Sequence, residues 1–326
     1  TMYPIQRNRR LRSSESLRAL FQEYSLSSND FIVPLFVIDG KQQKEEISSM
    51  PGYYRMSTDL VSIHVKNLWS MGLKSVLLFV KVPDSLKDNE GTEALNPDGL
   101  MQRAIKTIKD SVPKMVVMTD VALDPYSSFG HDGIVKEGII LNDTTVKLLS
   151  KMALSHAQAG ADVIAPSDMM DGRVGALRGA LDTAGYQKIS ICSYTAKYAS
   201  AYYGPFRGAL GSAPKSGDKK SYQMDPSNRR EALRELLLDE DEGADIVMVK
   251  PAGAYLDIIS DLREHTTLPV AAYQVSGEYL MIKSASAEGW ICEESVMMES
   301  LIAIKRAGAD MILTYFAKEA ARLLRE

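Results

Sequence analysis

The segments Gly160-Ala161-Asp162-Val163-Ile164, Gly243-Ala244-Asp245-Ile246-Val247 and Gly308-Ala309-Asp310-Met311-Ile312 repeat a single pattern. In each segment, a glycine that can close a helix is followed at once by an apolar run that can begin a strand. A helix-to-strand unit that recurs three times along one chain indicates an internally repeated α/β architecture.

Eight short apolar runs are predicted as strands. They are residues 31–38, 74–80, 115–123, 161–166, 188–195, 244–249, 269–275 and 309–316. Helical segments separate them, for example residues 145–159, 229–238 and 294–307. Eight strands that alternate with helices predict an α/β fold, the (β/α)8 or TIM barrel. An open doubly wound sheet is the alternative, but no GxGxxG motif follows the first strand.

Length and composition fit one large domain. The chain has 326 residues, of which 45% are apolar, and this is enough to bury a large core. We expect a catalytic barrel over residues 31–326, preceded by an N-terminal arm over residues 1–30. Arg7, Arg9, Arg10 and Arg12 make the arm basic. A short basic tract of this kind more often docks on an acidic face of the same protein or of a partner subunit than on nucleic acid.

Charge and cysteine content argue against several classes of partner and site. The net charge of -4 gives no general case for binding to nucleic acid or to an anionic membrane. Cys192 and Cys292 are the only cysteines, and their spacing suits neither a disulfide framework nor a zinc site. We therefore expect a reduced, cytoplasmic setting. No apolar stretch is long enough to span a bilayer, and we expect no secretion signal.

Two lysines, Lys197 and Lys250, end consecutive predicted strands. A lysine amine in a confined, partly apolar site loses solvation, and a second cation nearby lowers its pKa further, which frees the neutral nucleophile. Either lysine alone would be interpreted as a side chain that extends from a strand mouth to solvent. Two of them on neighbouring strands favour imine formation with a carbonyl substrate.

Further polar side chains follow the predicted strand ends, where the active site of a barrel lies. They are Asp120, Asp124, Ser167, Asp168, Asp171, Ser276 and Tyr315. A Gly-, Ser- and Lys-rich loop, residues 208–221, follows Gly204-Pro205-Phe206-Arg207 and is typical of a lid that excludes water, although an ordinary surface loop has the same composition. Because guanidinium and ammonium groups hold carboxylates, its cations predict an anionic substrate. The cations are Arg207, Lys215, Lys219 and Lys220.

The longer motifs resemble those of one enzyme family. They are MTDVALDPY at 118–126, GHDG at 130–133, KYAS at 197–200, YGPFR at 203–207, YQMDP at 222–226 and MVKP at 248–251. In this order they closely resemble the porphobilinogen synthase family, also called 5-aminolevulinate dehydratase. The similarity covers nearly the whole chain and includes the arginine-rich arm.

This resemblance implies a barrel whose arm wraps a neighbouring subunit, commonly in a homo-octamer. It implies a lyase that condenses two molecules of 5-aminolevulinate to porphobilinogen with loss of two waters, in tetrapyrrole biosynthesis. By motif, Lys250 forms the imine with the first substrate, and Lys197 engages the second substrate through its own imine or as an acid–base group. Asp120 and Asp124 can relay protons during dehydration.

The family motifs also imply which residues contact the substrates. Ser276 and Tyr315 match the carboxylate contacts of the first substrate. Arg207, Lys219 and Gln223 match those of the second, and Phe206 is expected to contact substrate as well.

The metal site departs from that of zinc-dependent members, which carry cysteines where this chain has Ala122, Asp124 and Asp132. No zinc is therefore expected, because Zn²⁺ favours soft ligands. Asp124 and Asp132 are hard carboxylates that suit Mg²⁺ or K⁺ near the active site. The alternative is that both only hydrogen-bond the substrate amine and a lysine. Phe129 stands where many relatives carry a histidine, whereas His131 remains.

A second cation site is implied at Glu235, on the predicted helix 228–238. Magnesium-stimulated relatives hold an allosteric Mg²⁺ at this position, mainly through water and at a subunit boundary. From the residues alone, Glu235 would be a solvated surface glutamate.

Two other functions remain compatible with the chain. A class I aldolase of another keto acid is also a barrel with an imine lysine, but it does not need a second lysine and two separate carboxylate contacts. A non-catalytic binding barrel is the other possibility, and in that case neither lysine would react with a keto acid.

Overall fold

Eight parallel strands close into a barrel in the computed structural model, which describes residues 4–325. In chain order, the strands are β1 (Phe31–Ile38), β2 (Lys44–Glu46), β3 (Tyr54–Ser57), β4 (Ser75–Lys81), β5 (Val116–Val121), β6 (Val135–Lys136), β7 (Ile139–Ile140), β8 (Val163–Pro166), β9 (Ser190–Lys197), β10 (Ile246–Lys250), β11 (Val270–Tyr273) and β12 (Met311–Leu313). The barrel order is β1, β4, β5, β8, β9, β10, β11 and β12. Because β12 pairs with β1, the sheet is closed, and the predicted barrel is confirmed over the open sheet.

Helices cover the outside of the barrel and bury their apolar faces against it. They are α1 (Glu15–Leu20), α2 (Thr58–Ser70), α3 (Leu100–Ser111), α4 (Asn142–Ala159), α5 (Arg173–Thr183), α6 (Gly204–Leu210), α7 (Glu231–Asp241), α8 (Leu256–His265), α9 (Ser276–Ala287), α10 (Glu293–Ala307) and α11 (Ala317–Leu323). Among these, α1 has no buried residue and belongs to the arm.

The repeated Gly-Ala-Asp segments make the same contact three times. In each, the aspartate lies just before a barrel strand, and its carboxylate accepts the backbone N–H of a residue in a neighbouring strand. The distances from Oδ2 to the backbone nitrogen are 2.9 Å for Asp162 and Val117, 2.8 Å for Asp245 and Ile191, and 2.8 Å for Asp310 and Val270. The backbone N–H of each aspartate donates to the carbonyl of the same partner. The repeat therefore fixes the register of neighbouring strands at one end of the barrel.

The observed strand ends place both lysines at equivalent positions. Lys197 is the last residue of β9, and Lys250 is the last residue of β10. The two are paired in the parallel register. The predicted strands ended before each lysine, because an apolar pattern stops at a charged side chain whereas backbone pairing does not.

Residues 4–30 precede the barrel and contain α1 and two 3-10 helices, Asn8–Arg12 and Ser28–Asp30. Lys305 binds Asp30 at 2.8 Å and ties the end of this arm to α10. The predicted arm also includes residues 1–3, which lie outside the described part, and its role between subunits stays a prediction. No helix described in residues 4–325 is long and apolar enough to cross a membrane.

Candidate active site

Lys250 lies in an aromatic enclosure at the end of β10. Only 6% of the residue is exposed. Its Nζ lies between 4.5 and 5.3 Å from four ring centroids, those of Tyr194, Tyr203, Phe206 and Tyr273. These rings exclude water from the amine.

Burial, together with the positive charge of Lys197, lowers the pKa of Lys250 to about 7. Asp120, Asp124 and Asp132 oppose this shift. A lysine with a pKa near neutrality holds a large fraction of neutral amine, which is the form that attacks a carbonyl carbon.

Lys197 is equally buried but is bound to oxygen atoms. Its Nζ donates a 2.5 Å hydrogen bond to the carbonyl of Ser167, and it lies 3.9 Å from Asp132 Oδ2. The ring of Tyr194 lies below both lysines, with its centroid 5.6 Å from Lys197 Nζ. The two amines therefore share one chamber, although only Lys250 is surrounded mainly by rings.

Asp120 and Asp124 supply carboxyl groups that can carry protons at neutral pH. Burial raises the pKa of Asp120 to about 6 and that of Asp124 to about 7. Nearby lysines oppose both shifts. Asp120 Oδ1 is buried and has no hydrogen-bond partner among the described residues.

Lys219, from the predicted lid, lies between the two remaining acidic positions. Its Nζ donates to Asp132 Oδ1 at 2.9 Å and lies 3.6 Å from Asp124 Oδ2. Burial alone would raise the pKa of Asp132, but Lys219 and Lys197 outweigh it and lower that pKa. The ammonium group of Lys219 thus already pairs with Asp132 and lies close to Asp124.

The contacts of Lys219 bear on whether Asp124 and Asp132 can hold a cation. With Lys219 in place, its ammonium group takes the position between the carboxylates that a cation would occupy. Within residues 4–325, no group of three or more His, Cys, Asp or Glu side chains is arranged to hold a metal ion. The residues around Asp124 and Asp132 do not fit a resident cation in this arrangement.

The lid residues assigned to the second substrate line the same chamber as Lys250. Arg207, Lys219 and Gln223 border a small cavity of about 40 Å³ together with both lysines. They also border a neighbouring cavity of about 590 Å³. Two cations and an amide therefore face the approach to the lysines. Lys220 is exposed and borders the larger cavity but not the small one, and the exposed Lys215 borders neither.

The residues assigned to the first substrate contact two of the aromatic residues around Lys250. Ser276, the first residue of α9, accepts the backbone N–H of Phe206 through its Oγ at 3.0 Å. Tyr315 lies 2.9 Å from Tyr273 through their hydroxyl oxygens, and Tyr273 is the ring nearest to Lys250 Nζ. Phe206 and Tyr273 both lie against the Lys250 amine. Phe206 also contacts the Ser276 hydroxyl, and Tyr273 contacts the Tyr315 hydroxyl.

The lid is held down by backbone contacts to the loop after β5. Lys215 N–H donates to the carbonyl of Phe129 at 3.0 Å, and His131 bridges the carbonyl of Ser216 and the hydroxyl of Tyr222, each at 3.0 Å. A Cβ at Gly130 would lie 2.3 Å from a lid carbonyl oxygen, so only glycine permits this approach. This position of residues 208–221 over the loop after β5 agrees with the lid that their composition predicted.

Glu235 lies in α7, outside the lysine chamber, and borders a separate cavity of about 560 Å³ with Glu231 and Asp171. It is partly buried, unlike the surface residue that its pattern alone indicates. Burial raises the pKa of Glu235 to about 7; Arg173 opposes the shift, and the neighbouring carboxylates add to it. These three carboxylates are not arranged to bind a metal ion directly, so they suit Mg²⁺ only through its shell of bound water.

Sequence reasoning missed two groups of residues. Tyr194, Tyr203 and Tyr273 belong to the enclosure of Lys250. Only their positions could have indicated them, because Tyr194 lies on β9, Tyr203 follows β9 and Tyr273 ends the neighbouring strand β11. Arg173 is buried, donates to Ser193 Oγ at 3.1 Å and lies 3.7 Å from Asp168. Asp168 therefore faces this arginine, whereas the sequence had grouped it with the lysines.

Fold and site together define a (β/α)8-barrel enzyme with two buried lysine amines at neighbouring strand ends and acidic and cationic groups around them. A family model described as delta-aminolevulinic acid dehydratase matches residues 5–323. The chain belongs to this family.

Individual relatives agree over nearly the full length. The chloroplastic delta-aminolevulinic acid dehydratase of Physcomitrium patens is 59% identical over 320 residues, which is 98% of this chain and 74% of that protein. The enzyme of the same name from Synechococcus elongatus is 52% identical over 99% of this chain and 100% of its own length. A crystal structure of delta-aminolevulinic acid dehydratase (porphobilinogen synthase) from Toxoplasma gondii ME49, in complex with the reaction product porphobilinogen, superposes with a TM-score of 0.96. That structure is 50% identical and covers 98% of this chain and 92% of its own.

These comparisons confirm the predicted family and the prediction of a 5-aminolevulinate dehydratase, a lyase. They favour this function over the class I aldolase and the non-catalytic barrel.

Proposed function

We propose that this chain condenses two molecules of 5-aminolevulinate to porphobilinogen with loss of two waters, and that Lys250 forms the imine with the first substrate. The observation that carries the assignment is the aromatic enclosure of Lys250, which lowers its pKa to about 7. The neutral amine adds to the ketone carbon of the substrate, and the resulting carbinolamine loses water once its hydroxyl has been protonated. The iminium that forms acidifies the neighbouring carbon, so that a bond to the second substrate can form.

Asp120 and Asp124 act as the proton carriers in this scheme. Both have pKa values near neutrality because they are buried, so each can hold or release a proton without a large free-energy cost. Asp120 interacts electrostatically with both Lys197 and Lys250, and each of these lysines lowers its pKa. We assign to it the protonation of the departing hydroxyl.

Lys197 serves as an acid–base and electrostatic partner in the resting site. Its Nζ donates to the carbonyl of Ser167 and lies near Asp132. The positive charge of Lys197 lowers the pKa of Lys250 and so makes the imine lysine reactive.

The two substrate carboxylates are held by two separate sets of residues. Arg207, Lys219 and Gln223 hold the second substrate, since they line the cavities that adjoin the lysines. Ser276 and Tyr315 hold the first, and Phe206 covers the imine. Holding both molecules in one geometry converts a bimolecular condensation into a reaction within one complex.

Mg²⁺ is proposed at Glu235, with Glu231 and Asp171 beside it, as an allosteric cation outside the reacting groups. When bound, Mg²⁺ would neutralise these carboxylates. No step is assigned to a cation at Asp124 and Asp132, because Lys219 already neutralises them.

We also propose that the chain assembles into a homo-octamer and is cytoplasmic. The arm exposes the apolar side chains Ile5, Leu20 and Phe21, which a partner subunit would cover. Both cysteines are free, with Cys192 buried and Cys292 exposed, as suits a reducing compartment.

Borohydride trapping tests the assignment directly, because reduction converts an imine to a stable amine. With 5-aminolevulinate and borohydride, peptide mapping should find the adduct on Lys250. Lys250→Met should abolish it, whereas Lys197→Met should still form it. An adduct found only on Lys197 or on exposed lysines would contradict the proposal.

A further inference from the structure

Glu278, the third residue of α9, binds backbone groups of two different loops. Its Oε2 accepts the N–H of Val275 at 2.7 Å, which is a contact within the start of its own helix. Its Oε1 accepts the N–H of Gly253 at 2.6 Å, and Oε2 lies 3.4 Å from the N–H of Ala252. A carboxylate is the side chain that can accept from all three donors at once.

The two loops joined in this way carry residues with assigned roles. Ala252 and Gly253 follow directly on Lys250 and Pro251, whereas Val275 precedes Ser276. Glu278 therefore connects the segment after the imine lysine to the segment that presents the serine hydroxyl. Ser276 in turn accepts the backbone N–H of Phe206, so the connection extends to α6 at the base of the lid.

Two glycines allow close approach at this site. A Cβ added at Gly253 would lie 2.5 Å from Glu278 Oε1, and a Cβ at Gly277 would lie 2.4 Å from the carbonyl oxygen of Tyr202. Both glycines permit a direct approach of backbone or carboxylate that a larger residue would prevent. Glu278 can therefore contact the backbone of the loop after β10 directly.

An ordinary helix cap does not explain this arrangement. A cap requires only the contact to Val275, and two of the three contacts of Glu278 go to another loop. Burial raises the pKa of Glu278 to about 7 even though three backbone N–H groups oppose the shift, so this carboxyl group is placed here at a desolvation cost. Local conflicts of this kind are expected at functional or strained sites.

We propose that Glu278 is a positioning residue that sets the separation between the Lys250 amine and the Ser276 hydroxyl. The inference rests on the proposed function, in which these two groups hold opposite ends of the first substrate. A substrate bound covalently at one end and by a hydrogen bond at the other requires a fixed span between its two anchors. Small errors in such a span lower the rate strongly.

Glu278→Gln is the test variant, because the amide keeps the size of the side chain but its NH₂ group cannot accept a hydrogen bond. Either the backbone N–H of Val275 or that of Gly253 then loses its hydrogen-bond acceptor. The expected result is a rise of about 10-fold or more in KM, and in the 5-aminolevulinate concentration needed for half-maximal borohydride trapping at Lys250. The melting temperature should change little.

A double-mutant cycle separates positioning from general stabilisation. If Glu278 acts through Ser276, the effect of Glu278→Gln on trapping should be much smaller in the Ser276→Ala background than in the unmodified protein. If the effects of Glu278→Gln and Ser276→Ala on trapping simply multiply in the double variant, the inference is wrong. Gly253→Ala should reproduce the phenotype of Glu278→Gln, because it displaces Glu278 Oε1 from the opposite side, and it keeps the test valid if Glu278→Gln does not fold.

Asp310→Asn provides the matched control. Asp310 also accepts a backbone N–H through its carboxylate, at 2.8 Å from Val270, but it lies at the other end of the barrel. This variant should lower the melting temperature without a change in KM. If Glu278→Gln behaves in the same way, the inference fails while the proposed function stands. If the unmodified protein forms no adduct at Lys250, the proposed function itself fails.

Discussion

Lys219 donates a 2.9 Å hydrogen bond to Asp132, and the two residues are 87 positions apart in the chain. Burial acts to lower the pKa of Lys219, but Asp132 and Asp124 outweigh it and raise that pKa. The lid therefore delivers a permanent positive charge to the acidic pair. This contact explains how a site with carboxylates in place of cysteines can be neutralised from within the chain.

Removal of Lys219 should make the active site respond to cations. In Lys219→Ala, Asp124 and Asp132 remain buried without their nearest ammonium group, and loss of one partner of a buried charge pair typically costs roughly 3–5 kcal/mol. Activity should fall, and added K⁺ or Mg²⁺ should restore part of it. The titration is best made in a Glu235→Gln background, so that Mg²⁺ acts only at the acidic pair.

Lys220→Ala is the control for this experiment, because Lys220 is the adjacent lid lysine, is exposed and pairs only weakly with Asp218. It should give no new cation response. A Lys219→Ala enzyme that is equally insensitive to K⁺ and Mg²⁺ would show that the ammonium group does not stand in for a cation.

The rate of imine formation should follow the titration of Lys250. The group is a lysine whose pKa is lowered to about 7, so its reactive neutral form is present above pH 7 and is lost as the pH falls. Trapping rates should therefore drop about tenfold per pH unit on the acidic side and level off on the alkaline side.

Lys197→Met should move this midpoint upward, because one of the two causes that lower the pKa of Lys250 is removed. Lys197→Arg retains the positive charge and should leave the midpoint nearly unchanged. Equal midpoints in Lys197→Met and the unmodified protein would mean that burial alone sets the reactivity of Lys250.

The barrel and the reactive lysines could be predicted from sequence for physical reasons. The Gly-Ala-Asp repeat marks the start of strands because its aspartate accepts a backbone N–H of the neighbouring strand, as Asp162 does from Val117. Lysines at the ends of two neighbouring parallel strands must lie side by side, so the pairing of Lys197 with Lys250 follows from the fold.

Other parts of the site depend on contacts that no local pattern encodes. Lys219 reaches Asp132 only because the lid folds back onto the loop after β5. The contacts of Glu278 with Ala252 and Gly253 go to backbone groups about 25 residues away, which carry no side-chain signal. Glu235 lies on an amphipathic helix with the pattern of a surface residue, and only the packed structure shows that it is partly buried.

Mg²⁺ should stimulate the enzyme through Glu235. Glu235→Gln removes the carboxylate whose pKa is raised to about 7 by burial and its acidic neighbours, so the variant should lose the stimulation but keep its basal activity. Glu299→Gln, an exposed glutamate on α10, is the control and should retain the response.

Independence of zinc can be tested on the unmodified protein. Because Ala122, Asp124 and Asp132 supply no thiolate, activity should survive a zinc-selective chelator and resist lead at concentrations that inactivate thiolate sites. Activity that is lost on chelation and restored by zinc alone would contradict the magnesium assignment.

Arg207→Ala and Ser276→Ala should impair different steps of the condensation. Arg207→Ala removes a cation that faces the approach to the lysines, at a cost of roughly 2–5 kcal/mol if it holds a desolvated carboxylate. Ser276→Ala removes a neutral hydroxyl, which typically costs about 1–3 kcal/mol. Arg207→Ala should still form the borohydride-trapped adduct at Lys250 but make little porphobilinogen, because the first substrate binds without the second. Ser276→Ala should weaken trapping itself, and the opposite pattern would show that the residues are assigned to the wrong substrates.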